Sequence, residues 1–282
     1  MKIRSVKFSL AAVLLSSVAI VCYHQIIASF NGDAAVMSVG QQPHFTHHCI
    51  SESGSEVLDD AGVLSVAVWN IYKQQKPNWQ QQLHALATKD LVLLQEAKLN
   101  QALNQQIVEV NKHAVMAKGF AIRGVTMGVM TLSNSKAQEA CAYQSTEPWI
   151  RFAKSTLVSR YPLSNGQTLL VVNLHGVNFD WRLSSYQAQW GLVAKQLQVH
   201  SGPIIVAGDF NTWRAGRMAV VSDFAAQYDL ISAKFQHDYR SRVLGQPLDH
   251  LFYRGLQLVQ ASATPSTASD HNPITAKFNL DN

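Results

Sequence analysis

Cysteine is scarce in this sequence: Cys22, Cys49 and Cys141 are the only three, and they form no metal-type cluster. That excludes a metal centre built from thiolates. Cys22 lies in the leader. Cys49 and Cys141 either pair in an oxidising compartment or stand as separate thiols, and their spacing favours neither. Charge is sparse too, at 15% of residues against 47% hydrophobic. The net charge is +5, but Lys2, Arg4 and Lys7 supply three of those charges and leave only +2 for the rest. The basicity therefore belongs in part to a targeting signal and argues only weakly for a nucleic-acid partner. No segment repeats at a solenoid period, which excludes a repeat array. What is abundant is apolar residues. A chain of 282 residues at this hydrophobicity buries one large core, in a domain of roughly 200–250 residues.

The start of the chain is basic and then apolar from Phe8 to Tyr23, short of the ~20 residues that span a bilayer comfortably. Extension to Phe30 reaches that length but takes in His24 and Gln25. Residues 1–30 read as a signal peptide or an uncleaved membrane anchor, which places the protein in the cell envelope. No A-x-A site follows, and Ala19-Ile20-Val21-Cys22 is a poor lipoprotein box, so the anchor is preferred. The alternative is a hydrophobic leader helix on a cytoplasmic protein. Residues 31–62 are rich in Gly, Ser and Gln without apolar periodicity and read as a linker. His44, His47 and His48 cluster there, as a solvated segment rather than a metal site.

From Val63 the pattern changes, and residues 63–282 read as one catalytic domain. Val63–Trp69, Leu91–Leu94, Leu169–Leu174 and Pro203–Ala207 are short, continuous apolar runs, the pattern of strands buried on both faces. Val125–Leu132, Ser155–Arg160, Leu248–Tyr253, Leu256–Ala261 and Ile274–Phe278 are further strands. Helices are expected after Pro77-Asn78, over Leu99–Val110, around Tyr186, Trp190, Val193 and Leu197, and over Met218–Tyr228. Buried strands interspersed with covering helices imply a layered α/β architecture.

A polar group stands at the end of each of four strands: Asn70, Glu96, His175 and Asp209. Asp249-His250 and Asp270-His271 stand where two later strands begin. If those two run antiparallel to the other four, all six positions share one sheet edge. Each alone has a plain structural explanation, as a turn residue, a cap or a core histidine. Together they gather carboxylates, imidazoles and an amide into a hard-cation and acid–base site.

In order along the chain, Trp69-Asn70, Leu94-Gln95-Glu96, Asn173-Leu174-His175, Gly208-Asp209-Phe210-Asn211, Leu248-Asp249 and Ser269-Asp270-His271 resemble the successive motifs of the endonuclease/exonuclease/phosphatase superfamily. Its members include DNase I, exonuclease III-type repair enzymes, neutral sphingomyelinases and inositol phosphatases. The resemblance covers Val63 to Phe278, and Trp69–Lys73 and Pro247–Gly255 look like a poorly characterised bacterial branch. It implies a DNase I-like four-layer α/β sandwich of two packed mixed sheets, and a monomer that hydrolyses phosphodiesters with Mg²⁺ or Mn²⁺. Glu96 would be the principal metal ligand, with Asn70 and Asp270 nearby. His271 would be the general base and Asp249 would orient it. Asp209 and Asn211 would position the nucleophile and a phosphate oxygen, and His175 would bind the phosphate or assist the leaving group.

Tyr72 stands where repair-type members often carry an acidic or amide residue, which favours the DNase I or sphingomyelinase side. Arg214 and Arg217 are candidate phosphate binders, as are Arg240 and Arg242; a solvated basic loop explains each pair equally well. Trp181 and Trp213 offer stacking surfaces or simple packing. Three functions follow: a nuclease, from the complete site beside arginine-bearing loops; a membrane-facing phosphodiesterase for phospholipid headgroups, from the apolar leader; and a non-enzymatic binding module on the same fold. The third is weakest, because no position in the set is replaced by an inert residue.

Overall fold

The computed structural model describes residues 2–39, 44–46 and 48–281. The chain begins with helix α1 (Lys2–Asn31) and three short strands, β1 (Val36–Val39), β2 (His44–Thr46) and β3 (Cys49–Ser51). Strand β4 (Val63–Asn70), helix α2 (Trp79–Leu86), strand β5 (Leu91–Leu99) and helix α3 (Gln101–Glu109) follow. Then come β6 (His113–Ile122), β7 (Val125–Ser133), β8 (Glu139–Thr146), β9 (Ala153–Pro162) and β10 (Thr168–His175). Helix α4 (Ser184–Gln198), strand β11 (Ile204–Asp209) and helix α5 (Ala215–Gln227) lead to β12 (Ile231–Ser232), β13 (Arg242–Val243) and β14 (Gln246–Pro247). The last strands are β15 (Asp249–Arg254), β16 (Leu256–Ala263) and β17 (Ile274–Leu280).

Two large sheets face each other. The first runs β16-β17-β4-β5-β7-β6-β1-β2 and the second β12-β15-β11-β10-β9-β8-β3. Strand alternation divides the apolar residues between layers. Leu64, Val66 and Val68 of β4 and Leu91 and Leu93 of β5 meet Leu169 and Val171 of β10 and Ile205 of β11 between the sheets. The alternate residues face outward. Val92 and Leu94 pack under Trp79 and Leu83 of α2 and Leu103 of α3. Leu170, Val172 and Val206 pack under Trp190 of α4 and Phe224 of α5. The order helix, sheet, sheet, helix is the expected four-layer sandwich.

Strand direction places the site. β4 pairs parallel with β5, and β10 parallel with β11. β17 is antiparallel to β4, and β15 antiparallel to β11. The end of β4 at Asn70 and the start of β17 just after His271 therefore lie at one edge of the first sheet, and Asp209 and Asp249 at one edge of the second. The Asn70–Asp209 hydrogen bond joins the two, so the single sheet edge expected from the sequence is a pair of facing edges.

Residues 31–62 correct the expected linker. β1 pairs with β6 and β2 with β1, so this segment extends one sheet; β3 pairs with β8 and extends the other. Cys49 lies opposite Cys141 in that register, and the two form a disulfide. Leu58 is buried in the inter-sheet core. Strands of three or four residues are too short to carry a readable period. His48 is exposed with its ring edge-on to Tyr143, and His47 lies outside the described residues. Among the described residues no helix is long and apolar enough to cross a membrane.

Candidate active site

The site is built where four strand ends converge, and local backbone geometry aims each side chain. In β5 the register with β7 shifts between Leu94 and Ala97, and Glu96 adopts φ 53°. The bulge turns the Glu96 carboxylate out of the ladder, a left-handed conformation that costs a non-glycine residue on the order of 1–3 kcal/mol. Beneath it, Gln95 Nε2 donates to Asn173 Oδ1 at 2.8 Å, and Asn173 Nδ2 donates to the Met130 carbonyl at 3.0 Å. This buried amide pair clamps the two sheets together directly under the site. In β11, Gly208 has φ 142°, and a Cβ there would lie 2.0 Å from the Leu174 carbonyl oxygen. Only glycine lets β11 approach β10 closely enough to bring Asp209 opposite His175.

Asp249 and His271 form the best-defined pair. Nδ1 of His271 lies 2.8 Å from Asp249 Oδ2. The backbone of His271 is fixed as well: its N–H donates to Ser269 Oγ, and its carbonyl accepts the Trp69 indole N–H at 3.1 Å. Ser269 Oγ in turn donates to the Asn70 carbonyl at 2.6 Å. The other imidazole nitrogen, Nε2, faces Asp209 Oδ2 at 3.8 Å. The same Asp209 oxygen accepts from Asn70 Nδ2 at 3.0 Å and lies 3.5 Å from His175 Nε2. Asp209 Oδ1 accepts the Asn211 N–H at 2.9 Å, and Asn211 Nδ2 donates to the Gly176 carbonyl. His175 Nε2 lies 3.9 Å from Glu96 Oε1 and 2.8 Å from Lys154 Nζ. Lys73 forms an ion pair with Glu96.

Burial and charge set the protonation states. Burial disfavours the His271 imidazolium, but Asp249 and Asp209 outweigh it and push the group up to about 10. Burial raises Asp209 to about 6, against the pull of His271 and with the push of Asp249. Burial also works against Glu96 ionising, yet Lys154 and Lys73 together hold its carboxyl below the usual carboxylate range. His175 is driven well below the ordinary histidine value by burial, with Lys154, His271 and Lys73 adding to it. His250 is lowered to about 3, chiefly by burial; it contacts Thr212 Oγ1 and stacks on Phe210, so it is a neutral packing residue.

Among the described residues, the ligand atoms of Asp209, Asp249 and His271 lie within 4.8 Å of one another, close enough to hold a metal ion. The residues fit a hard cation. The donors at the edge are largely oxygens, Asp249 Oδ1 is buried without a protein partner, and Glu96 already holds an ammonium against its carboxylate. The expected ligand set of Glu96, Asn70 and Asp270 is not drawn together by any hydrogen bond among its members. Asp270 is exposed, and its carboxylate lies 3.3 Å from Ser269 Oγ, whose hydrogen is directed at the Asn70 carbonyl.

The arginines correct the expectation of a phosphate-binding rim. Arg217 is fully buried, with its guanidinium 3.9 Å from the Tyr186 ring centroid. Its Nε donates to the Asn211 carbonyl at 2.5 Å, and Nη2 donates to the Val177 carbonyl. It supports the loop behind Asp209 from inside. Helix α5 begins at Ala215, so its first turn carries Arg217 inward. Arg214 donates to the Trp181 carbonyl and lies against the Trp181 and Trp213 rings. Arg240 and Arg242 both pair with Asp238. The cations that do reach the cluster are Lys73, which ends the Trp69–Lys73 stretch but has no role assigned there, and Lys154, which stands near the start of β9 outside any motif.

Comparison with known proteins agrees with this architecture. The sequence model of the Endonuclease/Exonuclease/phosphatase family matches residues 67–271. A UPF0294 protein of Vibrio parahaemolyticus is 38% identical over 97% of this chain and 98% of its own length. A UPF0294 protein of Yersinia pestis is 39% identical over 79% of this chain and 86% of its own. Among solved structures, an endonuclease/exonuclease/phosphatase from Bacteroides vulgatus superposes with TM-score 0.62 at 16% identity, covering 78% of this chain and 99% of that one. D. rerio TDP2 complexed with single strand DNA product gives TM-score 0.59 at 18% identity, covering 78% of this chain and 100% of that one. With the two-sheet sandwich and the converging strand ends already in place, the family match identifies the chain as a member of the endonuclease/exonuclease/phosphatase family, in a branch with the bacterial UPF0294 proteins.

Proposed function

We propose that this chain is a divalent-metal-dependent phosphodiesterase, and one observation carries the reading. Asp249 pins His271 Nδ1 at 2.8 Å, which leaves Nε2 directed at the polar cluster around Asp209. That is the geometry of an oriented general base. His271 takes a proton from the attacking water at Nε2, and Asp249 holds the productive tautomer and stabilises the imidazolium that forms. Asp209 and Asn211 position the water and a non-bridging phosphate oxygen. His175, kept neutral by burial and by Lys154, contacts the phosphate or the leaving oxygen. Lys154 and Lys73 add positive charge where the phosphoryl oxygens gain negative charge.

Glu96 and Asn70 are the residues assigned to hold Mg²⁺ or Mn²⁺, with Asp270 acting from the rim. A bound divalent cation supplies charge neutralisation at the phosphoryl oxygens and a more acidic water. Nucleic acid and phospholipid headgroups are the two substrate classes the site admits. A nuclease reading drew on Arg214, Arg217, Arg240 and Arg242, and their engagement elsewhere weakens it.

Turnover of duplex DNA, single-stranded DNA, RNA, phosphatidylcholine and bis-p-nitrophenyl phosphate, with Mg²⁺ or Mn²⁺ and after EDTA treatment, tests the proposal. Metal-dependent cleavage of the simple diester is expected, with none in EDTA. Binding of a nucleic acid should weaken steeply with salt, and binding of a small headgroup only slightly. No cleavage of any ester with either metal contradicts the reading.

A further inference from the structure

We infer that the cavity beside Glu96 and His175 is a subsite for an alkyl or acyl chain carried by the phosphoester substrate. The inference rests on the phosphodiesterase reading only for the position of the phosphate. The cavity has a volume of about 370 Å³, within the range of ligand sites. Its polar end is Glu96, Lys73, Lys154 and His175. The rest of its lining is mostly apolar, with Phe120, Met127, Phe152, Ile150 and Phe179 beside three polar residues.

The two ends favour an amphiphile. Phe120 and Phe152 pack ring against ring at 4.6 Å and form one apolar wall. Most acceptors lining that part already have a donor, which leaves the Asn178 amide N–H2 and the Ser155 hydroxyl hydrogen as its side-chain donors. Ser155 Oγ accepts the Val129 N–H, and the buried Glu147 carboxylate accepts the N–H groups of Asn178 and Phe179. Asn178 Oδ1 accepts the Trp213 indole N–H. A nucleobase brings donors and acceptors that would need partners there, and their loss on burial is costly. An alkyl chain needs none, and its burial is favourable for each methylene.

Apolar surface continues outward from the cavity. Ile150 and Phe179 line it yet remain 41% and 45% exposed, and the neighbouring Trp149 is 71% exposed. The apolar leader helix ends on the same wall. Phe30 stacks on Phe152, Asn31 donates to the Arg151 carbonyl and accepts the Ala153 N–H, and Tyr23 donates to the Ile150 carbonyl. A chain-bearing phosphoester would enter between the helix end and the metal-binding edge.

The test is calorimetric titration of the full-length protein, with Mg²⁺ present, by methyl, butyl and octyl phosphate and by adenosine 5′-monophosphate. From methyl to octyl phosphate the affinity should tighten at least about tenfold, with an increasingly negative heat-capacity change. Met127→Glu, which sets a charge in the apolar end, should flatten that series. Equal affinity for the three alkyl phosphates in the wild-type protein overturns the subsite, whether or not the variant folds. So does tighter binding of the nucleotide than of octyl phosphate, which would make the cavity a base site. Hydrolysis of methyl p-nitrophenyl phosphate under the same conditions separates the two claims. A steep chain-length series without hydrolysis removes the phosphodiesterase reading and keeps the subsite; hydrolysis with a flat series does the reverse.

Discussion

At the scale of single residues, His271 is held by Trp69, Ser269 and Asp249 at once, and Asp249 and Asp209, both distant in sequence, surround it with negative charge. Its folded value of about 10 lies above the unfolded value of ~6.5. A histidine raised in this way stabilises the fold fully below the unfolded value and loses that contribution as pH rises through the folded one. The metal-free protein should therefore lose melting temperature between about pH 7 and 10 more steeply than His271→Ala does. Parallel melting curves for the two proteins across that range would show that the imidazolium is not held by Asp249. The rate with metal should rise with pH through a value above ~6.5 and below about 10, because a bound cation opposes the imidazolium.

Glu96 makes a second residue-scale prediction. Glu96→Gln keeps the side-chain shape and removes the charge that Lys73 and Lys154 stabilise. Turnover should fall by orders of magnitude, with little change in melting temperature. Unchanged turnover at saturating Mg²⁺ would make Glu96 a structural partner of Lys73. The sequence announced Glu96, His175, Asp209, Asp249 and His271 because polar groups at strand ends are rare enough to be noticed together. Lys73 and Lys154 were not legible, since a lysine in a turn or near a strand start resembles any solvated lysine. Arg217 was misread for the same reason: nothing local distinguishes an arginine folded under Tyr186 from one facing solvent.

At the scale of elements, continuous apolar runs made β4, β5, β10 and β11 legible, and these four carry most of the site. β6 and β8 were missed because Lys118 and Gly119 break β6 after the short run Ala114–Ala117, and Ala140, Ala142 and Gln144 give β8 only small or polar residues. The end of β5 was placed too early. The strand continues to Leu99 beyond the Glu96 bulge, and a bulge leaves no periodic mark. The edge strand β3 depends on its link to β8. The Cys49–Cys141 disulfide closes 92 residues of chain, so Cys49→Ser with Cys141→Ser should cost about 2–4 kcal/mol in denaturant unfolding. A loss below ~0.5 kcal/mol would mean that the edge strand holds without the bond.

At the scale of the whole molecule, the layer order was legible through the motif resemblance and the strand pattern together, while the joining of residues 31–62 to both sheets was not. That joining changes how the leader is tested. Disulfides persist in oxidising compartments, so the Cys49–Cys141 bond and the basic, apolar start favour the same cell-envelope location. Full-length protein should fractionate with the envelope, and complete recovery in the cytosol would remove that reading. Deleting residues 1–28 keeps Phe30 and Asn31 against Phe152 and Ala153 and should leave stability intact. Deleting residues 1–34 removes those contacts and should lower the melting temperature.

The central claim is that Asp249 and His271 act as one base where the edges of the two sheets meet. A double-mutant cycle on bis-p-nitrophenyl phosphate hydrolysis with Mg²⁺ tests it most directly, using His271→Ala, Asp249→Asn and the pair, each checked for native melting. Each single change should lower kcat/KM by roughly 10²–10⁴-fold, and the double variant should lose little more than the worse single one. Losses that add fully in activation free energy, or a near wild-type Asp249→Asn enzyme, would contradict it.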